Sequence, residues 1–174
     1  MQQQLKILFM GDASNFHASL AAALREMGHN VTVVSDGGKW MDTRRNITLS
    51  RQPGKIGAVK YLLNTIKLLP HLKGYDIVHL ISPIFLELRP RKIRLVFDYL
   101  KRNNRHVYLS AIGTDYIYVQ ACNKGNIFKY SDYKIGNEPS PYMLSQESKY
   151  HRQENWNLPV MKWYSDYVTR RFDG

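Results

Sequence analysis

Apolar and polar positions along the chain follow two rhythms, one of period two and one of helical period, and their alternation outlines the fold. Residues 5–11, Leu-Lys-Ile-Leu-Phe-Met-Gly, form a short apolar run closed by glycine, as a central parallel strand buried on both faces does. Gly11 to Asn15 is a turn cluster in which Ser14 or Asn15 can cap the next helix. From Phe16 to Met27 the apolar residues Phe16, Leu20, Ala23, Leu24 and Met27 keep helical spacing, and Gly28 offers a left-handed C-terminal residue. Residues 31–34 are a second strand, giving a βαβ unit with a right-handed parallel crossover.

Residues 47–49 read as a weak third strand. Residues 55–69 then carry Ile56, Val59, Leu62, Leu63, Ile66 and Leu69 on one helical stripe, with Lys60, Asn64 and Lys67 opposite and Pro70 ending the pattern. That stripe reads as core against the sheet. Residues 76–82 predict a fourth strand. A second basic helix follows at 90–103, with Ile93, Val96, Phe97 and Leu100 inward, and residues 106–110 are a fifth strand leading into Ile112-Gly-Thr-Asp115. The repeated β-α-β order predicts an α/β fold with a doubly wound parallel sheet, Rossmann-like.

After Asp115 the rhythm is lost. Residues 116–159 are rich in Tyr, Asn, Ser and Lys and read as an irregular Tyr-rich insertion, with a helix from near Pro141 to about Gln153; residues 160–171 are again helical. The 174 residues suit one domain, 1–174, which ends at Phe172-Asp-Gly174 with no packed closing element expected and so reads as a fragment of a two-domain protein.

Composition narrows the partners. At 44% hydrophobic and 12% aromatic residues the chain is not disordered. The single Cys122 excludes an internal disulfide and a cysteine metal cage, which fits a reducing compartment, and no apolar run approaches the ~20 residues of a membrane span. With no leader-like segment after Met1, a cytoplasmic location is expected. The formal charge of +11 lies wholly between Lys39 and Arg105, where fifteen Lys or Arg face four Asp or Glu. Such a field draws polyanions or anionic bilayers, or else reflects solvated helix faces.

Ligands of open parallel sheets bind beyond the carboxyl ends of the strands. Three segments reach that edge: Gly11 to His17, Ser82-Pro83, and Gly113-Thr114-Asp115. There is no G-x-G-x-x-G, no phosphate-binding G-x-x-x-x-G-K-[ST] and no G-x-S-x-G elbow, which argues against a nicotinamide oxidoreductase of the usual kind and a serine hydrolase. The six histidines keep no metal-ligand spacing, so no metal is expected. His79, inside an apolar strand, reads as a hydrogen-bonded core residue. His17 is a general base, a hydroxyl contact or a helix-surface histidine. Asp12 and Asp115 bind hydroxyls or cap turns.

The pattern Gly11-x5-His17-x2-Leu20-Ala21-x2-Leu24-x3-Gly28-His29-x-Val31-x-Val33-Val34 resembles the opening of retaining glycosyltransferases of the GT-B type with a GT4-like N-terminal domain. Asp76-Ile-Val-His79 is similar to the family's D-[IV]-[VI]-H strand, and Ile112-Gly-Thr-Asp115 to its H-G-x-D, with Ile112 and Ile81 standing where the family often has histidines. The resemblance covers residues 5–115. It implies the N-terminal, acceptor-binding half of an enzyme that moves sugar from a nucleotide-sugar donor to a polysaccharide or lipid-linked acceptor. The donor would be held by a C-terminal Rossmann-like domain outside this chain, so the chain alone binds no cofactor and is expected to be inactive. On that resemblance Gly11 approaches the donor phosphates, while Asp12, His17, Ser82, Gly113, Thr114 and Asp115 line the acceptor side, with His17 a weak candidate catalyst.

Several members of that family act at the inner membrane face through a basic patch. Here Lys55, Lys60, Lys67, Arg91, Lys92, Arg94 and Lys101 would serve, as a peripheral contact with an anionic surface in which the lysines alone meet lipid. The alternative is a basic nucleic-acid-binding α/β module without enzymatic activity, which predicts steep salt dependence and tyrosines stacking beside the patch. A receiver-like domain ranks last, because only Asp12 fits its acidic cluster and no lysine follows strand five before Lys124.

Overall fold

A computed structural model describes residues 3–38, 41–113, 115–124, 127–145 and 158–173. They fall into two compact units, residues 1–113 with 170–174, and Thr114–Thr169.

The first unit runs β1 (Lys6–Met10), α1 (Phe16–Glu26), β2 (Asn30–Ser35), β3 (Ile47–Thr48), α2 (Gly54–Leu68), a short 3-10 turn, β4 (Ile77–Leu80), α3 (Pro90–Asn103) and β5 (His106–Leu109). All five strands are parallel, in the order β3-β2-β1-β4-β5. This is the doubly wound, Rossmann-like sheet that the alternating rhythm predicts. Right-handed crossovers place α1 on one face and α2 and α3 on the other, because the chain winds outward in opposite directions from β1 and β4. In register, Ile7 and Phe9 point the same way as Val31 and Val33, and Leu20, Ala21 and Leu24 of α1 pack on them. The alternate residues Leu8, Met10, Val78, Leu80 and Val107 are buried on the other face.

α3 turns Ile93, Val96, Phe97 and Leu100 inward, as its spacing predicts. α2 does not follow its spacing. Its buried row is Gly57, Tyr61 and Thr65, whereas Ile56 is 86% exposed and Val59, Leu63 and Ile66 are each more than half exposed. The expected core stripe therefore faces outward. Gly57 gives the reason: a Cβ there would overlap the Gln52 carbonyl, so the helix lies close to the chain before it along its small-residue side. In α1 the inward face centres on His17, Ala18 and Ala21 with Leu20 and Leu24 beside them, leaving Phe16 partly and Met27 more than half exposed. Gly28 ends α1 with φ +91, the left-handed conformation expected of it.

The C-terminal residues are packed, against expectation. The Asp173 N–H donates to Val107 O at 2.8 Å, and its carboxylate accepts from the Val107 N–H at 2.7 Å and from Lys101 at 2.8 Å. Lys101 and the Val107 N–H hold the Asp173 carboxyl below its ordinary range.

Among its described residues the second unit adds short regular elements to the expected irregular insertion. It contains α4 (Tyr116–Asn123), a small hairpin of β6 (Lys134–Ile135) and β7 (Glu138–Pro139), α5 (Pro141–Leu144) and α6 (Pro159–Thr169). Val119, Cys122 and Tyr133 form its buried cluster. The expected continuation of a helix from Pro141 to Gln153 falls mostly outside the described residues. No helix among the described residues is long and apolar enough to cross a membrane.

Candidate functional site

The strand order reverses between β1 and β4, and in such sheets the crevice at that reversal is the natural ligand position. A cleft of about 190 Å³ opens there. Gly11 and Asp12 border it after β1, Ser35 and Asp36 after β2, Tyr61 from α2, and residues 84–87 after β4. Three carboxylates (Asp12, Asp36, Glu87) line it and no Lys, Arg or His among the described residues does, while Leu49, Ile84 and Phe85 supply an apolar wall.

Gly11 lets β1 turn at this point. Its φ is +79, its N–H donates to Val34 O at 2.8 Å, and an added Cβ would lie 2.5 Å from the Ile81 side chain. Only glycine combines that conformation with so close an approach. The turn then enters α1 through a cap at Asp12, not at Ser14 or Asn15 as turn chemistry predicts. Asn15 takes the N-cap position in a left-handed conformation without a side-chain cap, and Asp12 Oδ1 accepts the His17 N–H at 2.9 Å instead. A helix N-terminus attracts negative charge, and here the chain's own carboxylate fills that position. The second oxygen, Asp12 Oδ2, is buried with no partner among the described residues.

Behind Gly11 a chain of hydrogen bonds crosses the sheet. His17 is fully buried, stacked on Phe9 with ring centroids 4.5 Å apart. Its Nδ1 lies 2.6 Å from the Gly11 carbonyl, its Nε2 lies 3.2 Å from His79 Nδ1, and His79 Nε2 lies 3.0 Å from Ser110 Oγ. The proton positions follow by elimination. A carbonyl can only accept, so His17 carries its proton on Nδ1 and accepts at Nε2 from the His79 Nδ1–H; His79 Nε2 then accepts from the Ser110 hydroxyl. This needs both rings neutral. Burial lowers the His17 pKa more than the Gly11 bond and Asp12 raise it, and burial with the neighbouring His17 lowers His79 to about 4. With no exposure and both nitrogens engaged, His17 is neither a surface residue nor a free base: it is a positioning residue that holds the Gly11 turn.

Tyr61 is buried at the cleft, and its hydroxyl accepts the Glu87 N–H at 3.1 Å. Burial raises its pKa to about 12, so the hydroxyl keeps its hydrogen and can donate it to a ligand. No sequence motif marks Tyr61, Asp36, Glu87 or Ser110 as a site residue. Asp36 and Ser110 carry a weak signal as polar residues closing strands, whereas Tyr61 sits on the side of α2 opposite its aliphatic stripe.

The remaining expected residues are not gathered in this cleft. Ser82 is half-buried in the β4–α3 loop but outside the lining, and Gly113 follows β5 with φ +95 and is exposed. Thr114 lies outside the described residues. Asp115 belongs to the second unit, where it caps α4 by accepting the Tyr118 N–H at 2.7 Å. Among the seven basic residues, Arg94 pairs with Asp98 and Lys101 with Asp173, whereas Lys55, Lys60, Lys67, Arg91 and Lys92 are exposed without an ion-pair partner among the described residues. No cluster of His, Cys, Asp or Glu that could hold a metal occurs among the described residues.

No protein-family model, curated protein or solved structure matches the chain.

Proposed function

We propose that the first unit is a saccharide-binding module, the acceptor-side half of a protein that transfers sugar from a nucleotide-sugar donor held by another domain. The observation that carries this reading is Asp12 seated at the N-terminus of α1. In a phosphate-binding Rossmann domain that position receives the ligand's phosphate. Filled by a carboxylate, it repels one. Hydroxyl groups, by contrast, find acceptors in Asp12, Asp36 and Glu87 and a donor in Tyr61, while Leu49, Ile84 and Phe85 suit the C–H face of a sugar ring. In this reading Gly11 serves to close the turn against Ile81, and the donor phosphates are bound elsewhere. The resemblance of residues 5–115 to GT4-like domains supports the same assignment from sequence.

Saturation-transfer and chemical-shift NMR on the chain, with neutral mono- and disaccharides, glucose 6-phosphate and uridine diphosphate as probes, tests it. Neutral saccharides are expected to shift Gly11, Tyr61 and Phe85, with the phosphorylated probes weaker by about tenfold, as one repelled charge in a partly shielded site implies. Tighter binding of uridine diphosphate at the same residues would overturn the reading.

A further inference from the structure

We propose that the saccharide taken by the cleft carries a free amine, held as its ammonium ion by Asp12, Asp36 and Glu87; the inference rests on the saccharide reading and names its substrate class. It starts from composition. Lys and Arg outnumber Asp and Glu by 25 to 14, so a carboxylate of this chain readily finds a cation. Asp42, Asp98, Asp166 and Asp173 do so, each pairing with a Lys or Arg within 3.4 Å. The three acids of the cleft do not. None has an ion-pair partner among the described residues, and no Lys, Arg or His among them lines the walls. Arg51, whose charge reaches Tyr61, donates to the Glu87 backbone carbonyl at 3.3 Å and to no carboxylate.

Two buried polar groups at the same place also lack a partner. Asp12 Oδ2 is buried with none among the described residues. Tyr61 lines the cleft at 3% exposure, and its oxygen accepts the Glu87 N–H, which leaves its own hydrogen without an acceptor among the described residues. Asp36 and Glu87 both act on this phenol, so their fields meet at one point of the cleft. A buried polar group without a partner costs stability, and a ligand that completes it recovers that loss. The ligand is thereby specified on three counts. It carries a positive charge with several N–H donors for the carboxylates, as an ammonium group does. It carries an oxygen that accepts from Tyr61. It has a C–H face for Leu49, Ile84 and Phe85. An amino sugar meets all three, and about 190 Å³, below the ~300 Å³ of pockets for drug-sized ligands, suits a single ring. A polyamine would match the charge but leave the Tyr61 hydrogen unpaired. A metal ion is not served, because no cluster of His, Cys, Asp or Glu among the described residues could hold one.

Amide-shift NMR titrations of the whole chain with glucosamine, glucose, N-acetylglucosamine and ethanolamine provide the test. Glucosamine is expected to bind about tenfold or more tighter than glucose or N-acetylglucosamine, shifting Asp12, Asp36 and Glu87, because charge-assisted hydrogen bonds are the stronger ones. The preference should weaken with salt. At a formal charge of +11 the chain as a whole repels an amine, so a preference for one has to arise in the cleft. Asp36→Asn/Glu87→Gln keeps an oxygen for the Gly38 N–H and should bring glucosamine down to the level of glucose, with glucose itself little changed; Glu87→Gln alone, at an exposed site, should remove part of the preference. Equal affinities for glucosamine and glucose would overturn the inference and leave the saccharide reading standing, as would a preference for glucosamine that the double variant keeps. No binding of any of the three sugars, or ethanolamine matching glucosamine while glucose does not bind, would overturn both.

Discussion

Acid should destabilise the first unit through the His17–His79 pair. His79 has a pKa of about 4 in the fold against 6.5 when free, and His17 is lowered as well. Between those values the unfolded chain binds more protons than the folded one, so stability rises with pH. The contribution is fully present above about 6.5, runs down as pH falls toward about 4, and changes no further below that. For His79 alone, linkage without screening gives about 2 kcal/mol lost at pH 5 relative to pH 7. The ring is only half-buried, and solvent screening reduces this to about 1 kcal/mol. Protonated His79 can still donate to Ser110, but a proton on His17 Nε2 would face the His79 N–H at 3.2 Å, so the His17 link is the one that breaks. Urea unfolding at about pH 7 and about pH 5, for the native chain and for His79→Gln, measures it. The native chain should lose about 1 kcal/mol more than the variant over that interval. Equal losses, or a gain in stability on acidification, would refute the proton assignment.

Three substitutions probe the packing around the cleft. Gly11→Ala should cost about 2 kcal/mol or more in urea unfolding, because it combines a left-handed φ with a contact against Ile81, and should weaken any ligand bound in the cleft. Tyr61→Phe leaves the Glu87 N–H without its acceptor and removes the donor hydroxyl; a loss of about 1–2 kcal/mol is expected by the same measurement, together with weaker saccharide binding by NMR. Gly57→Ala, which in an ordinary exposed helix would stabilise, should instead destabilise by about 1–3 kcal/mol, and differential scanning calorimetry should show a lower transition temperature.

The sheet was legible because strands buried on both faces must be apolar throughout, and residues 5–11, 31–34 and 76–82 leave little room for another reading. α3 was legible for a similar reason: its charged residues fix which side faces water. α2 was not. Periodicity reports that a helix has two faces, and tertiary packing decides which is inside; on the buried side Gly57 permits a close approach to the Gln52 carbonyl that a side chain there would prevent. The Gly11–Asp12 corner of the site was readable from turn chemistry, although the capping role passed from Asn15 to Asp12 once the backbone at Asn15 went left-handed. Tyr61, Asp36 and Glu87 come from three separate segments and meet only through the crossover topology, so no local pattern announces them. The pairing of His17 with His79 depends likewise on α1 lying over Phe9.

The seat of Asp12 at the head of α1 is the claim on which the cleft's chemistry turns. Asp12→Asn keeps an oxygen for the His17 N–H but removes the charge, so uridine diphosphate and saccharide can be titrated into the native chain and the variant side by side, with amide shifts of Gly11 and His17 as the readout. The account predicts that the native chain favours the saccharide, and that the variant gains affinity for the diphosphate by about tenfold while its affinity for saccharide falls. A native chain that already binds the diphosphate through these amides, with no gain in the variant, would contradict it.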